Sequence, residues 1–320
     1  MRLRCLTGLA LILAASSADA ATAWVSNERD NTISVIDVAT LELVDTIRVG
    51  QRPRGIVFSP DYRTLYVCAS DDDTVQVLDV ATRQVTANLP SGADPEFFAL
   101  DPSGRYLYIA NEDDALTTVV DTAERRVVAQ VDVGVEPEGM AVSHDGRWAV
   151  TTSETTNMVH WIDTASHAIV ANTLVGQRPR YARFTADDRQ LWASSEIGGT
   201  VTVIDTATHE TVGEIGFAIP GVPRELIQPV GLRMSPDGTK AFVALGPANR
   251  VAVVDTASLA VEKYLLVGRR VWHLDLTPDG STLFTTNGLT NDVSVIDVAS
   301  LEVVRSTPVG RMPWGVAVRP

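Results

Sequence analysis

The sequence has 320 residues, 45% apolar and 21% charged, which supplies a packed core and excludes wholesale disorder. Two lysines, Lys240 and Lys263, stand beside 24 arginines, and the formal net charge of −14 lacks the electrostatic footprint of a general nucleic-acid binder. With 22 Gly, 16 Pro and only 19 aromatic residues, the composition suits short strands and turns rather than long helices.

Residues 1–20 read as a secretory signal. MRLR is a basic n-region, LTGLALILAA an apolar stretch, and Ala18-Asp19-Ala20 a small-residue cleavage site. The apolar run is too short for a membrane span and no later run approaches one. No lipobox-like sequence precedes Cys5, so a lipid anchor is not expected. The reading is a periplasmic or secreted protein starting near Ala21. Its net charge is −15 once the two Arg and one Asp of the signal are removed. Cys68, in the apolar run LYVCAS, is then the one remaining cysteine and is expected to be a buried structural thiol.

From Ala21 onward one phrase recurs seven times: VIDVA, VLDVA, VVDTA, WIDTA, VIDTA, VVDTA and VIDVA. Its aspartates, Asp37, Asp79, Asp121, Asp163, Asp205, Asp255 and Asp297, lie 42 residues apart except for one interval of 50. Each period divides into four strand-like runs, as in RGIVFSPD, TLYVCAS, TVQVLDV and QVTANLP. The second and third are apolar at nearly every residue, as strands covered on both faces are. SPDG-type phrases, such as Ser235 to Gly238 and Ser143 to Gly146, form the turn between runs one and two. The repeated Asp stands where run three turns into run four, with its carboxylate placed to accept backbone N–H groups. A period near 40 with four strands predicts an all-β fold, a seven-bladed β-propeller of four-stranded blades. Seven periods plus the eight-residue insertion need 302 residues, and the chain from Ala21 has 300. The ring over residues 21–320 is therefore expected to close inside one blade. Gly315 to Val318 would supply its first strand and Thr22 to Arg48 the other three.

In a propeller the first strand of each blade lines the central channel. The loop leading into it carries G-x-x-P-x-G, as in Gly50 to Gly55, and the residue after Pro is expected at the channel mouth. Round the ring this position reads Arg54, Glu96, Glu138, Arg180, Val230, Trp272 and Trp314. The residue before Pro adds Arg52, Asp94, Glu136, Arg178, Gln228, Arg270 and Met312. Two adjacent blades thus present carboxylates, their neighbours on both sides present paired Arg, and the far side carries two Trp. This asymmetry reads as a polar, aromatic-rimmed pocket for a small ligand or a partner's loop. The alternative is a set of solvated turn residues with unselected charges. Phe97, Tyr181 and His273 replace the motif's last glycine and are expected to narrow the mouth. His273, beside Arg269, Arg270 and Trp272, is the best-placed group for chemistry or anion binding. His160, His167 and His209 are expected in solvated positions. The acidic loops holding Asp71 to Asp73 and Glu112 to Asp114 read as a solvated rim rather than a calcium site, and no metal is expected. The insertion, in GEIGFAIPGVPRELIQPVG, is stiffened by Pro220, Pro223 and Pro229. It places Arg224, Glu225 and Leu226 to lean over the channel.

The SPDG turn, the V-x-V-I-D-T-A-T phrase and the VG ending of the fourth strand resemble the YVTN family of β-propeller repeats throughout residues 21–320. Within that family the signal segment, seven blades and single insertion look most like the PQQ-dependent catabolism-associated β-propeller proteins. This resemblance implies a non-enzymatic accessory or binding role in a quinoprotein alcohol oxidation system. The implied partners are a quinoprotein dehydrogenase, a c-type cytochrome or a transporter component, with a small-molecule ligand as the alternative. No cofactor is expected. There is no C-x-x-C-H for covalent haem, the five His are too scattered for a copper or d1-haem site, and neither G-x-S-x-G nor a phosphate loop is present. The enzymatic alternative is a lactonase-like hydrolase or isomerase working through His273, Glu96, Glu138 and Arg180. A third reading, single-stranded nucleic acid stacked on Trp272 and Trp314, is opposed by the net charge.

Overall fold

The computed structural model describes residues 20–320, so residues 1–19 of the expected signal lie outside the described residues. Seven four-stranded antiparallel sheets form a ring of blades. The inner strands of blades I to VI are Pro53–Phe58, Pro95–Leu100, Pro137–Val142, Pro179–Phe184, Leu232–Met234 and Val271–Leu276. Blade VII is built from both ends of the described chain. Pro313–Arg319 is its inner strand, followed by Thr22–Asn27, Thr32–Asp37 and Leu43–Arg48. Thr22 pairs with Arg319 and Val25 with Val316, which is the closure that the chain length required. Among the described residues no helix is long and apolar enough to cross a membrane.

The repeated aspartate works as its position foretold. In blade I, Asp79 Oδ1 accepts both the backbone N–H and the hydroxyl of Thr82 at 2.7 Å, and Asp37, Asp205, Asp255 and Asp297 form the same turn. That turn lets the fifth residue, such as Arg83 at φ +58°, hold a left-handed conformation without being glycine. Second strands are buried almost throughout, third strands mainly at their central positions, and fourth strands alternate and face solvent. The core therefore lies between neighbouring blades; Tyr66, Cys68, Leu89, Phe98 and Ile109 are one such seam.

One expected surface residue proves to be internal. His160 is buried in the third strand of blade III, where Nε2 accepts the Gly134 N–H at 2.9 Å and Nδ1 lies 2.6 Å from Asn172 Oδ1. His209 is also drawn inward, with its ring tilted by 35° and 4.4 Å from that of Trp161 in the seam between blades III and IV. Burial holds both imidazoles below the usual histidine range.

Candidate functional site

The inner strands converge so closely that bulky residues fit only at alternate blades. A Cβ on Gly139 would sit 2.8 Å from the Tyr181 Cα, and one on Gly231 would sit 2.8 Å from the His273 Cα. Glycine accordingly alternates with bulk around this level: Gly55, Phe97, Gly139, Tyr181, Gly231, His273, Gly315. The three rings meet across the channel, joined by Trp314 from the level above. Phe97 lies 5.3 Å from Tyr181, 5.5 Å from His273 and 5.8 Å from Trp314, while His273 and Trp314 are 4.2 Å apart between ring centroids. These residues plug the channel one level below the mouth instead of narrowing the mouth itself. His273 is buried in the plug. Burial, and then the positive charges of Arg180, Arg233 and Arg54, hold its imidazole neutral, well below the usual histidine range.

Above the plug lie the residues expected at the mouth, and they are not solvated turn residues. Glu96, Glu138, Arg180, Val230 and Trp314 are all buried. Arg54 pairs with Glu96 and lies 3.4 Å from Glu28; Arg52 reaches Glu96 and Asp94, each at 2.7 Å. On the other side Arg180 pairs with Glu154 and with Glu138 at 2.8 Å, and approaches Glu196 at 3.4 Å. Arg178 reaches Glu154 at 2.6 Å, and Arg270 reaches Glu196 at 2.8 Å. Arg270 lies 3.9 Å over the Trp272 ring, with Arg180 5.6 Å from it, while Arg54 stands 5.5 Å from the Trp314 ring.

Local backbone geometry aims these arginines. Arg52, Arg178 and Arg270 each adopt a left-handed φ, from +51° to +57°. Each N–H is held by an asparagine carbonyl of the preceding blade: Asn31 at 3.0 Å, Asn157 at 3.0 Å and Asn249 at 2.8 Å. Such strained positions persist because the neighbouring blade fixes them.

Three carboxylates of the network were not singled out from the sequence. Glu28, Glu154 and Glu196 come from the loops joining strands two and three, and with Glu112 they recur in the same register, at positions 28, 112, 154 and 196. Glu112 belongs to this inward set and not to the solvated rim. Two of the other rim aspartates support the leading loops: Asp72 accepts the Gln51 N–H at 2.7 Å and Asp114 the Ala93 N–H at 2.6 Å. Arg224 is the predicted site residue outside both the network and the plug. It sits on an exposed single turn, Arg224–Leu226, and lines a cleft with Gln177, Ile197 and Glu214 over blade IV, because the insertion folds outward along that blade.

Carboxylates outnumber guanidiniums here, and two of the carboxyls are raised above their usual range. Oxygens of Asp94, Glu96 and Glu112 lie within 4.8 Å of one another, as do those of Glu112, Glu138 and Glu154. Burial, then the charge of Glu96, pushes the Glu112 carboxyl up to about 8, and it shares a hydrogen bond with Glu96. Burial likewise raises Glu138 well above the usual range, and Glu138 hydrogen-bonds Glu154. Arg54 and Arg52 outweigh burial at Glu96, and Arg180 does so at Glu154, so both stay ionised. Glu28, Asp94, Glu96, Glu112, Glu138, Glu154 and Glu196 thus stand among Arg52, Arg54, Arg178, Arg180 and Arg270, with Asp71 3.4 Å from Arg52 at the rim. Retained protons on Glu112 and Glu138 lessen this excess of negative charge.

Two family models match parts of the chain: the cytochrome D1 heme domain over residues 61–172 and the seven-bladed β-propeller lactonase over residues 13–88. Each covers less than half of the sequence. No curated protein matches it. Among solved structures, hydrazine synthase of Kuenenia stuttgartiensis superposes with a TM-score of 0.80 at 22% identity, covering 87% of this chain and 92% of that one. A functionally unknown protein from Desulfotomaculum acetoxidans gives 0.79 at 16% identity, with 93% and 98% covered. Dihydro-heme d1 dehydrogenase NirN in complex with DHE gives 0.70 at 17% identity, with 92% and 74% covered. At these identities the likeness shows the propeller fold alone. The narrower PQQ-associated resemblance has no support among these matches. The residues also do not fit a haem: the ring of His273 is packed among Phe97, Tyr181 and Trp314, and His144, at the opposite face, has its Nδ1 2.7 Å from Asp188 Oδ1.

Proposed function

We propose that the chain is a non-enzymatic accessory propeller of the periplasm that docks a protein partner on its channel-mouth face. A basic side chain of that partner enters between Glu112 and Glu138. The observation that carries this reading is the pair of raised carboxyls at Glu112 and Glu138, where a cation can take the place of a retained proton. Exposed Val135, Ile197, Leu226 and Leu289 stand on loops of the same face and supply the apolar contacts expected of a protein interface. Glu136, Glu154, Arg178 and Ile197 line a cleft of about 360 Å³ beside the mouth. The aromatic plug confines anything bound there to the surface level. The resemblance of the repeat phrases to PQQ-associated propellers makes a quinoprotein dehydrogenase, a c-type cytochrome or a transporter component the partner to seek. The test is a pull-down from periplasmic extract with the wild type and with Glu112→Gln/Glu138→Gln. One of these partners should be retained by the wild type and lost by the double variant. Equal retention, or no such partner, refutes the reading.

The raised Glu112 carboxyl favours one second reading, a lactonase-like hydrolase using it as acid and base at neutral pH. Turnover of a lactone and ester panel that disappears in Glu112→Gln would establish it, and no turnover above buffer would remove it.

A further inference from the structure

Below the plug the channel opens again, toward the face opposite the mouth. Pro102, Ser143 and His144, from the turns between strands one and two, stand at its outer end, and the cavity measures about 300 Å³. That volume lies at the lower end of the range for small-molecule pockets, about 300–1,000 Å³. Much of the wall is apolar, including Val57, Phe98, Ala99 and Met140, with Phe97 and Tyr181 at the plug. The exception is on blades IV and V, where Arg183 and Arg233 enter the cavity.

The fold does not ask for arginine there. The equivalent positions of the other blades are Val57, Ala99, Ala141, Asp275 and Ala317, so four of the seven carry a small apolar residue. Two guanidiniums also have a single carboxylate between them. Arg233 Nε donates to Asp275 Oδ1 at 2.8 Å, and Arg233 Nη1 donates to the Tyr181 hydroxyl at 3.2 Å. Asp275 is fully engaged: Oδ1 also accepts the Leu276 N–H at 3.0 Å, and Oδ2 accepts the Val318 N–H at 2.9 Å. Arg183 has no ion pair among the described residues. Its strongest electrostatic neighbour is Arg233, whose like charge, followed by burial, lowers the affinity of Arg183 for its proton. Tyr181 and Asp275 attract Arg183 without an ion pair at salt-bridge distance, and a partly buried guanidinium so placed is costly unless an anion completes it.

We infer that this lower chamber is a binding site for a small monocarboxylate with an apolar body, its carboxylate held by Arg183 beside Arg233 and its body lying against Phe98, Met140 and Val57. One spare cation matches one negative charge, and the planar guanidinium fork matches a carboxylate. The apolar wall disfavours inorganic phosphate or sulfate, which bring charge without an apolar body. This site lies on the opposite side of the plug from the mouth and does not rest on the function proposed there.

Isothermal titration calorimetry of the full chain with phenylacetate tests the inference. The uncharged isostere phenylacetamide and inorganic phosphate are the comparison ligands. Phenylacetate should bind, and both comparison ligands should bind at least about tenfold more weakly. Arg183→Met should weaken phenylacetate by at least about tenfold, with a melting temperature unchanged or higher because a repelled cation is gone. Ala141→Phe, which fills the chamber from blade III and leaves both arginines in the sequence, should also abolish binding. Arg305→Gln, on the outer strand of blade VI, should leave it unchanged. No binding of phenylacetate at millimolar concentration overturns the proposal. So does equal binding of phenylacetamide or phosphate, or full affinity in either Arg183→Met or Ala141→Phe.

Discussion

Glu112→Gln separates a mouth that retains protons from one that is only acidic. The Glu112 carboxyl ionises near 8 in the folded protein and near its ordinary 4.5 when unfolded. Between those values the native state binds a proton that the unfolded chain has released, so stability falls as pH rises through the window. At 1.36 kcal/mol per pH unit the full interval is worth about 5 kcal/mol. Glu112 is only half-buried, and solvent screening reduces the expected effect to about 2 kcal/mol. Glutamine keeps the donated hydrogen bond to Glu96 and removes the titration. Urea unfolding should therefore give equal stabilities at about pH 5 and a variant more stable by about 2 kcal/mol at about pH 8.5. The reasoning fails if the variant is the less stable at high pH, or if the offset is the same at both.

Other consequences follow from the ring and its crowded centre. Truncation before Pro313 removes the inner strand of blade VII; losing Trp314 alone costs about 3–5 kcal/mol, and the exposed edge of Thr22–Asn27 is left unpaired. The cooperative melting transition should be lost, and an unchanged melting temperature contradicts the closure. Gly139→Ala places a Cβ 2.8 Å from backbone atoms of blade IV and should destabilise by about 1–3 kcal/mol. Gly216→Ala, where a Cβ meets nothing within 4 Å, should be close to neutral in the same denaturation assay. Cys68 is fully buried and its thiol is pushed well above the usual range by burial. It should react with Ellman's reagent only after unfolding.

The architecture was legible because its determinants are local and repeated. An aspartate every 42 residues fixes the outer turn of each blade, and the register alone located the cut in blade VII. The same register placed Arg54, Glu96, Glu138, Arg180, Trp272 and Trp314 at the mouth. It held Glu28, Glu112, Glu154 and Glu196 as well, but the loops between strands two and three were read by composition, which merges inward glutamates with solvated aspartates. The depth of Phe97, Tyr181 and His273 depends on how closely seven inner strands approach one another. That distance is set by the closed ring and by no single period. Arg224 escaped because an insertion has no counterpart in the other blades to fix its path. The protons on Glu112 and Glu138 arise from burial of charges contributed by different blades, which spacing along the chain does not record.

The central claim is that a partner protein docks on the mouth face. A benzoylphenylalanine photoprobe in place of Ile197, on a mouth-face loop, is compared in intact cells with one in place of Val304, exposed on the outer strand of blade VI. The account requires a protein adduct from position 197, lost when Glu112→Gln/Glu138→Gln is added, and none from position 304. Equal adducts from both positions, or none from position 197, would contradict it.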